Sequence, residues 1–359
     1  MADKNPAPRS QASQRTAPVN RWHRIKYVGE KPTPRVGQSA AQILNVAILF
    51  GGLSQRTRLN DLWMFNTSTA KWHRILPDSE LPQPRSGHTS AIHGSEMLVF
   101  GGENGSGTLN DFWAFDLQSE TWSPIIPSTQ ANPIPAPRCR HAAVSYGNKM
   151  IIYGGQDSPL PSEYYSDMHL WDTHTRTWSP ILYHSQRVPC GRAGHTFTLV
   201  GSDIYLFGGF GSQRHLKDLW VFNAVTLQWR EITPKVTQPT SDSNAGEGEE
   251  TPKELKKDQH IQQRQQERQK QKQLKDQWPT ARSAHSAFAI SNSLFIFGGY
   301  AAGNSKDDVW EFDTISETWV RHAAGQNSLS SSGSGELNLQ KRARSPNKKK
   351  GNSNIEYNR

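Results

Sequence analysis

LFGGLSQRTRLNDLWMFNTSTAKW, residues 49–72, closes an apolar run with two glycines, opens the next run with Asn-Asp and ends on tryptophan. The chain repeats this pattern. LVFGGENGSGTLNDFWAFDLQSETW follows at 98–122, IIYGGQDSPLPSEYYSDMHLWDTHTRTW at 151–178, LFGGFGSQRHLKDLWVFNAVTLQW at 206–229 and IFGGYAAGNSKDDVWEFDTISETW at 296–319. An arginine lies 16 residues before the first glycine of each copy: Arg35, Arg85, Arg138, Arg192 and Arg282. A proline stands three residues before each arginine, and the Asp that leads into the third apolar run is always 11 residues before the closing Trp. The arginine-to-arginine steps are 50, 53, 54 and 90 residues, so one step carries an insertion of about 40. A period near 50 is that of a stacked β-repeat.

Each copy reads as four short strands. In the second copy these are His88 to Ile92, Met97 to Phe100, Phe112 to Phe115 and a last strand around Trp122, with a tight turn at Gly94-Ser95. The second strand is apolar without alternation, as expected when neighbours cover both its faces. The glycine pairs (Gly51-Gly52, Gly101-Gly102, Gly154-Gly155, Gly208-Gly209, Gly298-Gly299) are expected to end that strand where a Cβ would not fit. Trp72, Trp122, Trp178, Trp229 and Trp319 are large enough to fill the space between sheets. One such sheet cannot bury both faces, whereas a ring of them can.

The R-x-G-H start, the FGG box, the L-N-D-L-W-x-F-D third strand and the T-W ending resemble kelch repeats. The variety is the one found in leucine-zipper-like kelch–BTB adaptors, Rab-effector kelch proteins and polarity proteins of the tip-elongation type. The resemblance covers about 260 of the 359 residues. It implies an all-β kelch-type propeller of five complete four-stranded repeats. Trp22 lies 13 residues before Arg35, as Trp72 does before Arg85, so it reads as an orphan fourth strand of a sixth blade that is missing or incomplete. Two readings stay open: an extra edge strand on a five-bladed ring, or a chain that stops before a sixth repeat.

Composition divides the chain. Residues 1–20 form a polar N-terminal segment expected to be disordered, and 21–234 hold the orphan strand and repeats 1–4. A Gln/Lys-rich insertion occupies 235–277, repeat 5 occupies 278–320, and a basic tail expected to be disordered occupies 321–359. The insertion has good helix propensity but no heptad stripe, and reads as a solvated helix or a flexible lid. The formal charge of +9 sits in the polar segments; the repeats themselves are near neutral, which argues against nucleic-acid binding by the propeller. No apolar run is long enough for a membrane helix, and the N-terminus has no apolar signal core. Cys139 and Cys190, the only cysteines, are then expected to be free thiols in a reducing compartment, the cytoplasm. Lys341, Arg342, Arg344, Lys348, Lys349 and Lys350 resemble a nuclear-import signal, and Ser345-Pro346 beside it could accept a phosphate.

Antiparallel order places the strand 2–3 loops and the strand 4–1 connections on one face. Arg35, Arg85, Arg138, Arg192 and Arg282 are expected to ring the channel mouth there. The resemblance implies an acidic or phosphorylated peptide ligand for such arginines, while their repetition equally fits a scaffold role beside the repeated Asp. Residues that differ between repeats point more sharply to function. On the same face these are Arg56, Arg58, Tyr164, Tyr165, Arg214 and His215, the tyrosines lying in the longest 2–3 loop.

Chemistry finds little support. His88, His141, His195 and His285 follow the arginines by three residues, but one imidazole per blade of a wide ring is not expected to converge at the 2.0–2.1 Å that zinc requires. Among kelch-fold enzymes, the iron-dependent specifier proteins carry E-x-x-x-D-x-x-x-H; Glu163 and Asp167 match its first half, and Trp171 takes the histidine's place. The expectation is a non-catalytic interaction scaffold or substrate-recognition module with no cofactor and no metal. Its partners would be other proteins, among them ubiquitin-ligase components. The alternative is a trafficking or cytoskeletal effector that holds a small GTPase or filament protein, and a metal-dependent enzyme is the remote third.

Overall fold

The computed structural model describes residues 25–128, 134–161, 163–183, 185–233 and 278–322. Five four-stranded antiparallel sheets, the blades, follow in chain order at 39–75, 89–124, 142–180, 196–232 and 286–322. Blade 2 shows the plan. Its strands are Thr89–His93, Glu96–Glu103, Thr108–Asp116 and Thr121–Pro124, each paired with the one before it.

Because side chains alternate across a strand, an apolar run sends residues to both faces at once. Met97, Val99, Trp113, Phe115 and Trp122 of blade 2 pack against Ile48, Phe50 and Leu62 of blade 1. Leu98, Phe100, Phe112 and Ala114 face the other way, onto Met150, Ile152, Trp171 and Trp178 of blade 3. In blades 2 to 5 the closing tryptophan lies on the last aromatic of the previous blade's second strand. Ring centroids are 4.8 Å apart for Trp122 on Phe50, 5.0 Å for Trp178 on Phe100, and 5.4 Å for both Trp229 on Tyr153 and Trp319 on Phe207.

The glycine pair does more than end a strand. In blades 1 and 2 the ladder continues through it, with a register shift between Phe50 and Gly52 and between Phe100 and Gly102. In blades 4 and 5 the strand does stop at Phe207 and Phe297, and a two-residue ribbon forms beyond it. Both glycines have positive φ throughout. A Cβ on Gly101 would lie 2.8 Å from the Arg138 carbonyl of the next blade, and one on Gly102 would lie 2.8 Å from Cβ of His88 in its own blade. The pair is therefore where the next blade's first strand is admitted.

Backbone groups complete each junction. Between blades 1 and 2 the Gly52 N–H donates to the Arg85 carbonyl (2.8 Å), the Arg85 N–H to the Leu59 carbonyl (3.0 Å) and the Gly87 N–H to the Gly37 carbonyl (2.7 Å). The same three bonds recur between blades 2 and 3, 3 and 4, and 4 and 5. Among the described residues no such set joins blade 5 to blade 1. The face of blade 5 turned away from blade 4 leaves Phe288 46%, Ile290 58% and Val320 53% exposed. The face of blade 1 turned away from blade 2 leaves Leu49, Phe65 and Trp72 half-buried, where their counterparts Val99, Phe115 and Trp122 are buried. Trp22 and the segments 235–277 and 323–359 lie outside the described residues, as do the readings made for them, including the lid and the import signal.

Candidate functional site

The five arginines belong to the scaffold. Arg85, Arg138, Arg192 and Arg282 are 0% exposed, and the Arg35 side chain is 3% exposed. Each guanidinium grips the repeated aspartate of its own blade through both oxygens: Arg35 to Asp61, Arg85 to Asp111, Arg138 to Asp167, Arg192 to Asp218 and Arg282 to Asp308, at 2.5–3.0 Å. Nη1 also donates to the first glycine's carbonyl, and Nε donates to the carbonyl two residues back. Burial pushes these carboxyls up, but the arginine bonds outweigh it and hold them below the ordinary aspartate range. The expectation of an arginine ring offered to a ligand is thereby corrected: buried donors that are already satisfied cannot reach an incoming acid.

The histidines are packing groups as well. Each sits edge-on to an aromatic of the previous blade: His88 on Phe50, His141 on Phe100, His195 on Tyr153 and His285 on Phe207, with centroids 5.2–5.5 Å apart. Desolvation, aided by the nearby arginines, lowers His88, His195 and His285 to about 3 and His141 well below its ordinary value, so the rings are neutral. Among the described residues no cluster of His, Cys, Asp and Glu is arranged to hold a metal.

What remains open to a ligand is the channel mouth. The 2–3 loops and the 4–1 connections meet there, as antiparallel order requires, around a cavity of about 650 Å³. Tyr164, Phe210, His215 and Tyr300 line one side of it. Tyr164 and Phe210 centroids are 6.0 Å apart, and His215 lies between Phe210 and Tyr300 at 5.1 and 5.9 Å. Glu103 also lines the cavity, bound by Ser86 and by Arg58. Arg58 is thus tied to the loop of the next blade, while Arg56 and Arg214 are exposed at the rim. Tyr165 is drawn into the scaffold: the Arg138 guanidinium stacks over its ring at 4.5 Å, and its carbonyl accepts the Arg192 N–H in the place that Leu59, Leu109 and Leu216 fill elsewhere.

Sequence reading missed Arg140. It lies two residues after the repeat arginine, where the other blades carry Gly37, Gly87, Gly194 and Ala284. Its backbone keeps the left-handed conformation of that column (φ 55), its N–H bonds the Gly87 carbonyl, and it lines the cavity. The side chain is exposed and has no hydrogen-bond or ion-pair partner among the described residues. The signal was present as one large cation in a column of small residues. Tyr300 opens the last strand 2–3 loop and was not singled out there, because one aromatic in a short loop carries no pattern of its own.

The enzyme-like residues are committed elsewhere. Both Asp167 oxygens are taken by Arg138, and Oδ2 also meets His169 Nε2 at 2.8 Å. Trp171 is 2% exposed in the core. Cys139 is buried and Cys190 exposed, both as free thiols. No helix among the described residues is long and apolar enough to cross a membrane.

Comparison with known proteins matches residues 14–209 and 127–247 to the family described as the KLHDC2/KLHL20/DRC7 Kelch-repeats domain, and residues 281–321 to the Kelch motif. Kelch domain-containing protein 3 of Bos taurus is 31% identical over 199 residues, 52% of this chain and 41% of that protein. Tip elongation aberrant protein 1 of Schizosaccharomyces pombe is 30% identical over 177 residues, 49% of this chain and 12% of that protein. A protein named for an enzymatic activity, N-(sulfonatooxy)prop-2-enimidothioate sulfolyase of Thlaspi arvense, is 27% identical over 183 residues, 51% of this chain and 41% of that protein. The chain spans less than half the length of each of these relatives.

Proposed function

Because the chain belongs to the kelch-repeat proteins, we propose that it is a non-catalytic interaction module that seats an acidic segment of a partner protein in the channel mouth. One observation carries the reading: Arg140, with no hydrogen-bond or ion-pair partner among the described residues, lines a cavity that has aromatic rings along one side and whose carboxylate, Glu103, is already bound. A non-glycine residue in the left-handed region costs roughly 1 kcal/mol, and a cation in that place adds a donor fork suited to carboxylate or phosphate. Arg56 and Arg214 at the rim add long-range attraction for the same charge. The absence of catalysis is part of this reading and is supported by the engagement of Asp167.

The test is an array of Asp/Glu-rich and phosphorylated peptides, with Asn/Gln-substituted peptides as the neutral set. Binding to the acidic set should fall about tenfold or more in Arg140→Ala, the loss of one charge-assisted bond pair. Equal binding by wild type and R140A would overturn the reading. The name of the tip-elongation relative supports a second reading, an effector of a growth or trafficking machinery that binds through the aromatic wall. In that case capture of a filament protein or small GTPase survives R140A and is lost in Tyr164→Ala.

A further inference from the structure

The four internal junctions share their backbone bonds but differ where strands 2 to 4 of one blade meet the 3–4 turn of the next. Between blades 1 and 2, Met64 and Leu117 pack into this space. Between blades 2 and 3 the larger Trp171 takes it, and His93 Nε2 meets Thr173 Oγ1 across the junction at 3.1 Å. Between blades 4 and 5 the rings of Tyr205 and Phe312 lie 6.0 Å apart, and Arg230 closes the outside on Glu317 at 2.7 Å. Blades 3 and 4 carry smaller or apolar residues at these positions. Ile151 stands where Tyr205 does, Phe222 where Trp171 does and Ala224 where Leu117 does. Ser179 and Leu227 replace the Arg230–Glu317 pair. The result is a crevice of about 400 Å³, lined by Ile151, Leu170, Ile181, Phe222, Ala224 and Leu227 among others.

Two residues of this crevice depart from their columns. Leu227 has the left-handed conformation (φ 56) that Ala70, Glu120, Arg176 and Glu317 share at the same turn position. The other blades place a small or charged residue there, whereas blade 4 places a bulky apolar one that is 38% exposed. Leu182, on the blade 3 side of the same crevice, is 72% exposed. The second residue is Lys149, where the other blades carry Val46, Glu96, Asp203 and Ser293. Strand alternation turns it to the same side as Ile151, and it lines the crevice. Lys149 is half-buried and makes no ion pair among the described residues. Asp172, opposite it in the ladder, holds the His174 and Thr175 N–H groups through Oδ1.

We propose that the crevice between blades 3 and 4 binds a single-chain carboxylic amphiphile, a fatty acid. The alkyl chain lies between Ile151 and Leu170 of blade 3 and Phe222 and Leu227 of blade 4, and the carboxylate meets Lys149. Apolar walls select a chain that has no hydrogen bonds of its own to lose. The polar side chains on the lining are Tyr146, Lys149 and Ser179, too few to satisfy the backbone of a peptide laid in the same place. The one cation sets the sign of the head group. The volume is within the range of small-ligand sites. The crevice and the channel mouth share no lining residue, so the proposal is independent of what the mouth binds.

The experiment titrates the full chain by calorimetry with dodecanoate, kept below its micellar concentration, and with dodecyltrimethylammonium, which has the same chain and a cationic head. Dodecanoate should fill one site and bind about tenfold or more tighter than the cationic probe. Lys149→Gln should weaken dodecanoate by about three- to fivefold and leave the cationic probe no weaker. Two variants close the crevice with residues that other blades already use. Ala224→Leu copies Leu117, and the pair Ser179→Arg with Leu227→Glu copies the Arg230–Glu317 bridge. Each should keep the thermal midpoint of the unmodified chain and weaken dodecanoate by about tenfold or more. Equal dodecanoate affinity in the unmodified chain and in both closing variants overturns the proposal, as does equal binding of the two probes. So does a dimer of the full chain that the closing variants dissociate. An acidic leucine-rich peptide that binds more tightly than dodecanoate and is lost in those variants overturns it too.

Discussion

A guanidinium removed from water is stable only while its acceptors stay in place, and Arg192 depends on Asp218, the Gly208 carbonyl and the Cys190 carbonyl together. Arg192→Met should leave Asp218 and two carbonyls short of donors and destabilise the fold by about 3 kcal/mol in urea unfolding. Asp218→Asn, which keeps an acceptor but leaves the buried cation uncompensated, should also destabilise. The histidines give a pH dependence of definite sign. Unfolded, they protonate near 6.5; folded, three of them do so only at about 3. Between those values the unfolded state binds more protons, so their stability contribution is complete above about pH 6.5 and is lost as pH falls toward 3. The depressed aspartates add a second loss below their ordinary pKa of 3.8. Thermal midpoints should therefore already fall between pH 6.5 and about 5, before the aspartates contribute. At this scale the sequence exposed the Arg–Asp spacing but not its burial. Repetition says that a residue is needed everywhere, and only the packing around Arg85 says that the need is internal.

Strands and their junctions were legible because they rest on short-range pattern. The turn, the apolar second strand and the closing tryptophan of blade 2 fall within a residue or so of their expected places. The continuation of the ladder past Gly101 was not legible, since a register shift depends on which carbonyl of the neighbouring strand is in reach. The two kinds of glycine should separate on substitution. Gly209→Ala strains a φ of 101 and brings Cβ to 2.9 Å from His195 and 3.0 Å from the Ala193 carbonyl, whereas Gly94→Ala at φ 58 meets nothing within 4 Å. We expect about 1 kcal/mol for Gly94→Ala and clearly more for Gly209→Ala, as measured by denaturant midpoints at constant slope. Trp122→Ala should cost about 3–5 kcal/mol, because it empties the space between two blades.

The described residues form a row of blades held by nearest neighbours, and its ends differ from its middle. Among the described residues, blades 2 to 4 are covered by a neighbouring blade on both faces, and blades 1 and 5 on one. Amide exchange should accordingly be fastest in the strands of blades 1 and 5 and slowest in blade 3, a gradient that mass spectrometry of the intact chain would read. The number of blades was legible because each one announces itself. How the row ends was not, since closure is a relation between surfaces 250 residues apart that no local pattern records. The placing of charge has an evolutionary consequence. Every Arg–Asp clamp closes within one blade, and the hydrogen bonds of the shared junction set are made by backbone. A recombination event that duplicates or deletes one 50-residue unit therefore strands no buried arginine and strips no aspartate of its partner. In the gene, whole units can be gained or lost in a single step, while a break inside a unit would separate the two halves of a clamp.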